Sequence, residues 1–191
     1  MYFVKEETTK TFEEKKSKFI AFLTSFDEFD SLMKRLREEH PKARHFVYAY
    51  RYLNEFDQVV ENCSDDGEPK GTSGKPTLNV LAGNELINSA VIIVRYFGGV
   101  KLGTGGLVRA YSDSANAVIN ISTLHKYEKL QTVFLTLEYS LLSKVEYILT
   151  NHEVKIINKQ FESDVVLSLS LTQEQLEIIR NEIPRNININ K

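Results

Sequence analysis

The alternation of apolar and polar positions resolves the chain into short strands and helices. Residues 90–94 form an unbroken, β-branched apolar run, the mark of a strand buried on both faces. Residues 19–23 predict a second strand, with a shorter one expected around residues 2–6. His45 to Leu53, rich in Tyr, Phe and Val, predicts another strand that turns at residues 54–57 and returns through residues 58–63. Phe29, Leu32, Met33 and Leu36 recur at helical spacing behind Asp27 as N-cap, and Pro41 ends that helix. Leu78, Leu81, Ala82 and Leu86 predict a helix with Pro76 in its first turn. A further helix, rich in small residues, is expected from near Leu107 to Ser122.

Beyond about Lys126 the order is strand, helix, strand, strand, helix, strand. Residues 132–139 predict the first strand, Ser140 the cap of a helix with Leu141, Val145, Ile148 and Leu149 inward, and residues 154–161 the second strand. Residues 165–171, a capping box at residues 172–175 and an alternating strand from Asn186 to Asn190 complete a ferredoxin-like βαββαβ. The expected division is residues 1–125 and 126–191, an α+β chain of two domains.

Eight of the nine glycines fall in two loops. One holds Asp65, Asp66, Gly67, Glu68, Pro69, Gly71, Thr72, Ser73 and Gly74. The other follows the buried strand with Arg95, Tyr96, Phe97, Gly98, Gly99, Lys101, Gly103, Gly105 and Gly106, then Arg109 in the helix. A glycine-rich passage from strand to helix permits φ > 0 and lets a ligand approach the backbone N–H groups. With Arg95, Lys101 and Arg109 for charge and Tyr96 and Phe97 as flat faces, it suits a phosphate or an RNA strand whose base stacks on a ring. It matches neither the nucleotide-binding P-loop nor the dinucleotide fingerprint, so no cofactor is expected. The bland alternative is that the glycines only relieve crowding.

Asp65, Asp66 and Glu68 could hold Mg²⁺ or act as acid and base, but their spacing is not that of an EF-hand, and a shaped, ordered loop is the favoured reading. His45 stands at the head of its strand, where a structural role is commoner than a proton shuttle. Tyr48, Tyr50 and Tyr52 share a strand face. Cys63, the single cysteine, excludes an internal disulfide and reads as a small buried side chain. A net charge of −2 argues against bulk attraction to nucleic acid while leaving room for a local basic patch. The charged N-terminal stretch does not read as a signal peptide, and no apolar run approaches membrane-spanning length. A cytoplasmic protein is expected.

The two loops, together with His45 and Ala49-Tyr50-Arg51, resemble the signatures of the IMPACT family, in its two-domain bacterial branch of the YigZ type. Ser73 departs from the small residue, alanine, more often expected there. The resemblance implies an N-terminal domain like the second domain of ribosomal protein S5, with about four strands covered by helices, and a ferredoxin-like C-terminal domain. It also implies, by analogy with eukaryotic relatives, a role around translation with RNA, a ribosomal site or a translation-related protein as candidate partner. A non-enzymatic module is the leading expectation. An enzyme acting on a phosphorylated small molecule or nucleotide is the alternative.

Overall fold

The computed structural model describes residues 1–184 and 187–190. It consists of two compact units, Met1–Tyr127 and Glu128–Lys191. In the first, β1 (Tyr2–Phe3) pairs antiparallel with β7 (His125–Lys126), apart from the main sheet. That sheet contains β2 (Thr8–Glu14), β3 (Ser17–Ser25), β4 (His45–Leu53), β5 (Val59–Ser64) and β6 (Ser89–Tyr96), in the order β2-β3-β6-β4-β5 with every pairing antiparallel. It has five strands where four were expected. The addition is β2, whose Thr, Lys and Glu side chains suit a solvated edge strand and hide it from a hydrophobic-pattern reading.

β6 is the centre of the unit because its alternate residues serve two cores. Val91 and Ile93 pack with Leu81, Leu107, Tyr111 and Val118 from α2 (Gly74–Gly83) and α3 (Gly103–Ile119). Ile92 and Val94 face the other way, onto Leu32 and Leu36 of α1 (Phe29–Glu39). A strand between two apolar layers needs no polar face, which accounts for its uninterrupted run.

Two helix starts and one helix end differ from expectation. A 3₁₀ turn, Phe26–Glu28, precedes α1, so Asp27 lies inside that turn rather than at a cap. Leu86 lies beyond the end of α2, yet is fully buried beside Tyr2. α3 begins at Gly103 rather than near Leu107, so its first turn is built from the glycines themselves, against their poor helix propensity.

In the second unit β8 (Gln131–Leu137), β9 (Lys155–Phe161), β10 (Val165–Leu171) and β11 (Asn188–Asn190) stand in the order β11-β8-β10-β9, all antiparallel. In chain order that is 4-1-3-2, the ferredoxin-like arrangement. α4 (Leu142–Asn151) and α5 (Gln173–Glu182) close its core, with Val145 and Leu149, and Leu176 and Ile179, packed against Leu135, Leu167 and Leu169. The capping box forms: Thr172 Oγ1 accepts from the Gln175 N–H, and the Gln175 side chain accepts from the Thr172 N–H. Ser140 is inside a 3₁₀ turn, Tyr139–Leu141, and is not a cap. The start expected for the last strand, at Asn186, lies outside the described residues.

Candidate functional site

The first loop is held by one carboxylate. Asp65 Oδ1 accepts from the Ser73 N–H (3.1 Å), the Ser73 hydroxyl (2.7 Å) and the Gly74 N–H (2.8 Å), and Oδ2 accepts from the Gly71 N–H (2.7 Å). Asp65 thus satisfies donors at the start of α2 from a distance, as an N-cap side chain would. Burial alone would raise its pKa. The hydrogen bonds from Gly71, Ser73 and Gly74 outweigh that and hold the carboxyl below the ordinary range. The serine at position 73 therefore adds a bond that alanine could not make.

Because the folded pKa of Asp65 lies below the unfolded value of about 3.9, its stabilisation is complete above that pH and drains away as pH falls through the folded value. Asp65→Asn is expected to cost about 1–2 kcal/mol at neutral pH. Thermal melts should show the gap to wild type shrinking below about pH 4; a gap that stays constant into stronger acid contradicts this role.

Asp66 is also occupied. Its Oδ2 accepts from the Phe46 N–H at 2.6 Å, and its carbonyl accepts from His45 Nδ1–H at 2.9 Å. A carbonyl cannot donate, so the proton is on Nδ1 and Nε2 points elsewhere, 4.0 Å from Glu68 Oε1. Glu68 is buried between Arg95, whose Nη1 donates to Oε1, and Tyr111, whose hydroxyl donates to the same oxygen at 2.8 Å. Burial, with the neighbouring Glu68 charge, pushes the Tyr111 phenol far up and keeps it a donor. The three acidic residues thus have separate protein partners. Among the described residues no group of three or more His, Cys, Asp or Glu side chains could hold a metal.

The second loop meets the first at this ion pair. Glu68, Pro69, Arg95, Phe97, Lys101, Leu102, Gly103, Thr104 and Leu107 line an open depression of ≈ 370 Å³. No side chain caps α3, so the free N–H groups of its first turn, with their partial positive charge, lie at that depression. Gly99 and Gly103 take φ of 85° and 73°, the left-handed region. Gly98 is required for a different reason: a Cβ there would overlap the backbone of Lys16 and Ser17 at the β2–β3 turn. Gly105 has open space around it.

A second depression of ≈ 270 Å³ adjoins the first through Arg95 and Phe97 and is lined besides by Lys42, Arg44, His45 and Tyr96. Lys42 and Arg44 were not singled out in the sequence. Their signal is positional: His45 pairs with Arg95 across β4 and β6, so the residues just before one strand face those just after the other. Tyr96 is tied down, its hydroxyl 3.0 Å from His40 Nδ1. Arg109 lies elsewhere, in a groove with Phe12, Glu14, Lys15, Gly106 and Asp113. Tyr48, Tyr50 and Tyr52 form a ladder against Phe26 and Phe29, with Phe26 stacked on Tyr52 at 4.1 Å. Cys63 is half-buried rather than buried, and burial pushes its thiol up, away from reactivity.

A family model described as the Impact N-terminal domain matches residues 15–119, which include both loops, and one described as a domain of unknown function matches residues 135–185. Over 174 residues the chain is 34% identical to an IMPACT family member of Haemophilus influenzae, an alignment covering 88% of this chain and 84% of that protein. It is 38% identical over 160 residues to the IMPACT family member YigZ of Escherichia coli, covering 82% and 78% respectively. A crystal structure described as that of a hypothetical protein aligns at a TM-score of 0.66 and 31% identity, covering 98% of this chain and 95% of that one.

Proposed function

The chain belongs to the IMPACT family, and from that premise we propose that it is a non-enzymatic module acting beside the translation machinery, binding RNA through the face where its two glycine-rich loops meet. The observation that carries this reading is the depression at the start of α3, where uncapped N–H groups, Lys101 and the exposed ring of Phe97 converge. Each is a means of holding a strand: amides and cations for phosphates, a ring for a base. Among the described residues no helix is long and apolar enough to cross a membrane. The reading places the protein in the cytoplasm, where ribosomes are.

The enzymatic alternative draws on Glu68 at the wall of the same depression with His45 nearby. The carboxylate is already committed to Arg95 and Tyr111, which leaves it a poor general base and favours binding over turnover.

Lys101→Glu tests the proposal. The side chain is exposed and makes no ion pair among the described residues, so melting should be nearly unchanged. Affinity for RNA and for inorganic polyphosphate at low salt should fall about tenfold or more, with a shallower salt dependence. Full affinity in this variant would put the anion site elsewhere.

A further inference from the structure

We infer that this face holds one unpaired nucleotide of a single-stranded RNA, with its base on Phe97 and its two flanking phosphates in the depressions on either side. The inference rests on the RNA-binding reading and specifies the form of RNA and the register in which it lies. The two depressions share Arg95 and Phe97 as a common wall. Phe97 is 58% exposed, an apolar ring standing between Lys101 with the start of α3 on one side and Lys42 with Arg44 on the other.

The charge arrangement fits an anion on each side. Arg35, Arg37, Arg51 and Arg95 all have carboxylate partners, whereas Lys42, Arg44 and Lys101 have none among the described residues. The depression beside Lys42 and Arg44 has no acidic lining residue, and the other has only Glu68, which Arg95 neutralises. Arg95, only 6% exposed, lines both depressions and adds its charge to each, its own Nε being buried away from them. Two phosphate positions separated by an exposed ring describe a strand whose base is free to leave its stack. In a duplex the base faces are already covered, so the ring would have nothing to hold.

The test uses the full chain, a labelled, adenine-rich oligoribonucleotide of about ten nucleotides, the same sequence in a duplex, and inorganic polyphosphate as a base-free anion. The single strand should bind at least about tenfold more tightly than the duplex. Phe97→Ala, at an exposed position, should weaken the strand about tenfold and leave polyphosphate unchanged, while Arg44→Glu should weaken both. If Phe97→Ala leaves strand binding intact, or the duplex binds equally well, the nucleotide register is wrong although the anion site stands. If a nucleoside 3′,5′-bisphosphate competes as well as the strand, the site belongs to a small molecule and the inference fails. If neither strand nor polyphosphate binds in a salt-dependent way, the inference and the reading beneath it fall together.

Discussion

Glu68→Ala is expected to destabilise the first unit by about 3–5 kcal/mol, enough to bring a domain of ordinary stability close to unfolding. The loss arises from what the substitution leaves behind. The Glu68 and Arg95 side chains are 4% and 7% exposed, so removing the carboxylate strands a guanidinium in a place water scarcely reaches. The Tyr111 hydroxyl, fully buried, loses its acceptor at the same time. Urea unfolding measures the effect, and a cost below about 1 kcal/mol would mean that the guanidinium finds another partner. Replacing the whole cluster, with Glu68→Leu, Arg95→Met and Tyr111→Phe together, should recover much of the loss, because apolar side chains of similar volume often replace a buried ion pair at little cost. Such a recovery would separate the packing role of the cluster from its role in shaping the binding face.

Gly98→Ala should be nearly as damaging, at about 3 kcal/mol or more, because the new methyl group meets backbone rather than a movable side chain. The obstructing segment is the Lys15-Lys16 turn. Both residues have positive φ, 45° and 66°, and the turn is fixed by the pairing of Glu14 with Ser17. It has no cheap way to retreat, and the Gly98 N–H also donates to Ser17 Oγ at 3.2 Å. Gly105→Ala supplies the contrast. It stands in open space inside α3, so the added methyl should be neutral or stabilising by about 0.5–1 kcal/mol. Thermal melts of the two variants side by side check the claim. Equal destabilisation would show that the glycine run matters as a whole and that no single position carries the close approach.

The strands legible in the sequence were those whose burial is simple. His45–Leu53 and Val165–Leu171 have the expected bounds, one rich in aromatic and β-branched residues and the other alternating leucine with serine. Thr8–Glu14 was not read because its role is to end a sheet, which calls for polar side chains that look like a loop. The convergence of the two loops followed from strand ends, since β5 and β6 both flank β4 and their following loops reach the same region. The placing of Arg109 did not follow, because it depends on where α3 begins. With the helix starting at Gly103, positions 103, 104 and 107 line the depression, whereas 106, 109, 110 and 113 turn toward the hairpin. Lys42 and Arg44 were invisible for another reason: charged residues in a short connection carry no signal until it is known which strand end they face, here the end of β6 through the His45–Arg95 pairing.

The clasp between β1 and β7 has a mechanical consequence. Tyr2 is opposite Lys126 and Phe3 opposite His125, so the two ends of the first unit leave the ladder at the same rung, where the Tyr127 N–H also reaches the Met1 carbonyl at 3.0 Å. A force drawing those ends apart does not slide the strands past each other. It meets the hydrogen bonds in series and opens them one at a time, as a zipper opens. Behind them the backbone bonds joining Tyr2 to Glu85 and Ile87 resist before tension reaches the interior of the unit. A motor pulling on the residues ahead of β1 would therefore meet the clasp first within this unit, and the five-stranded sheet would take the load only after the clasp had parted.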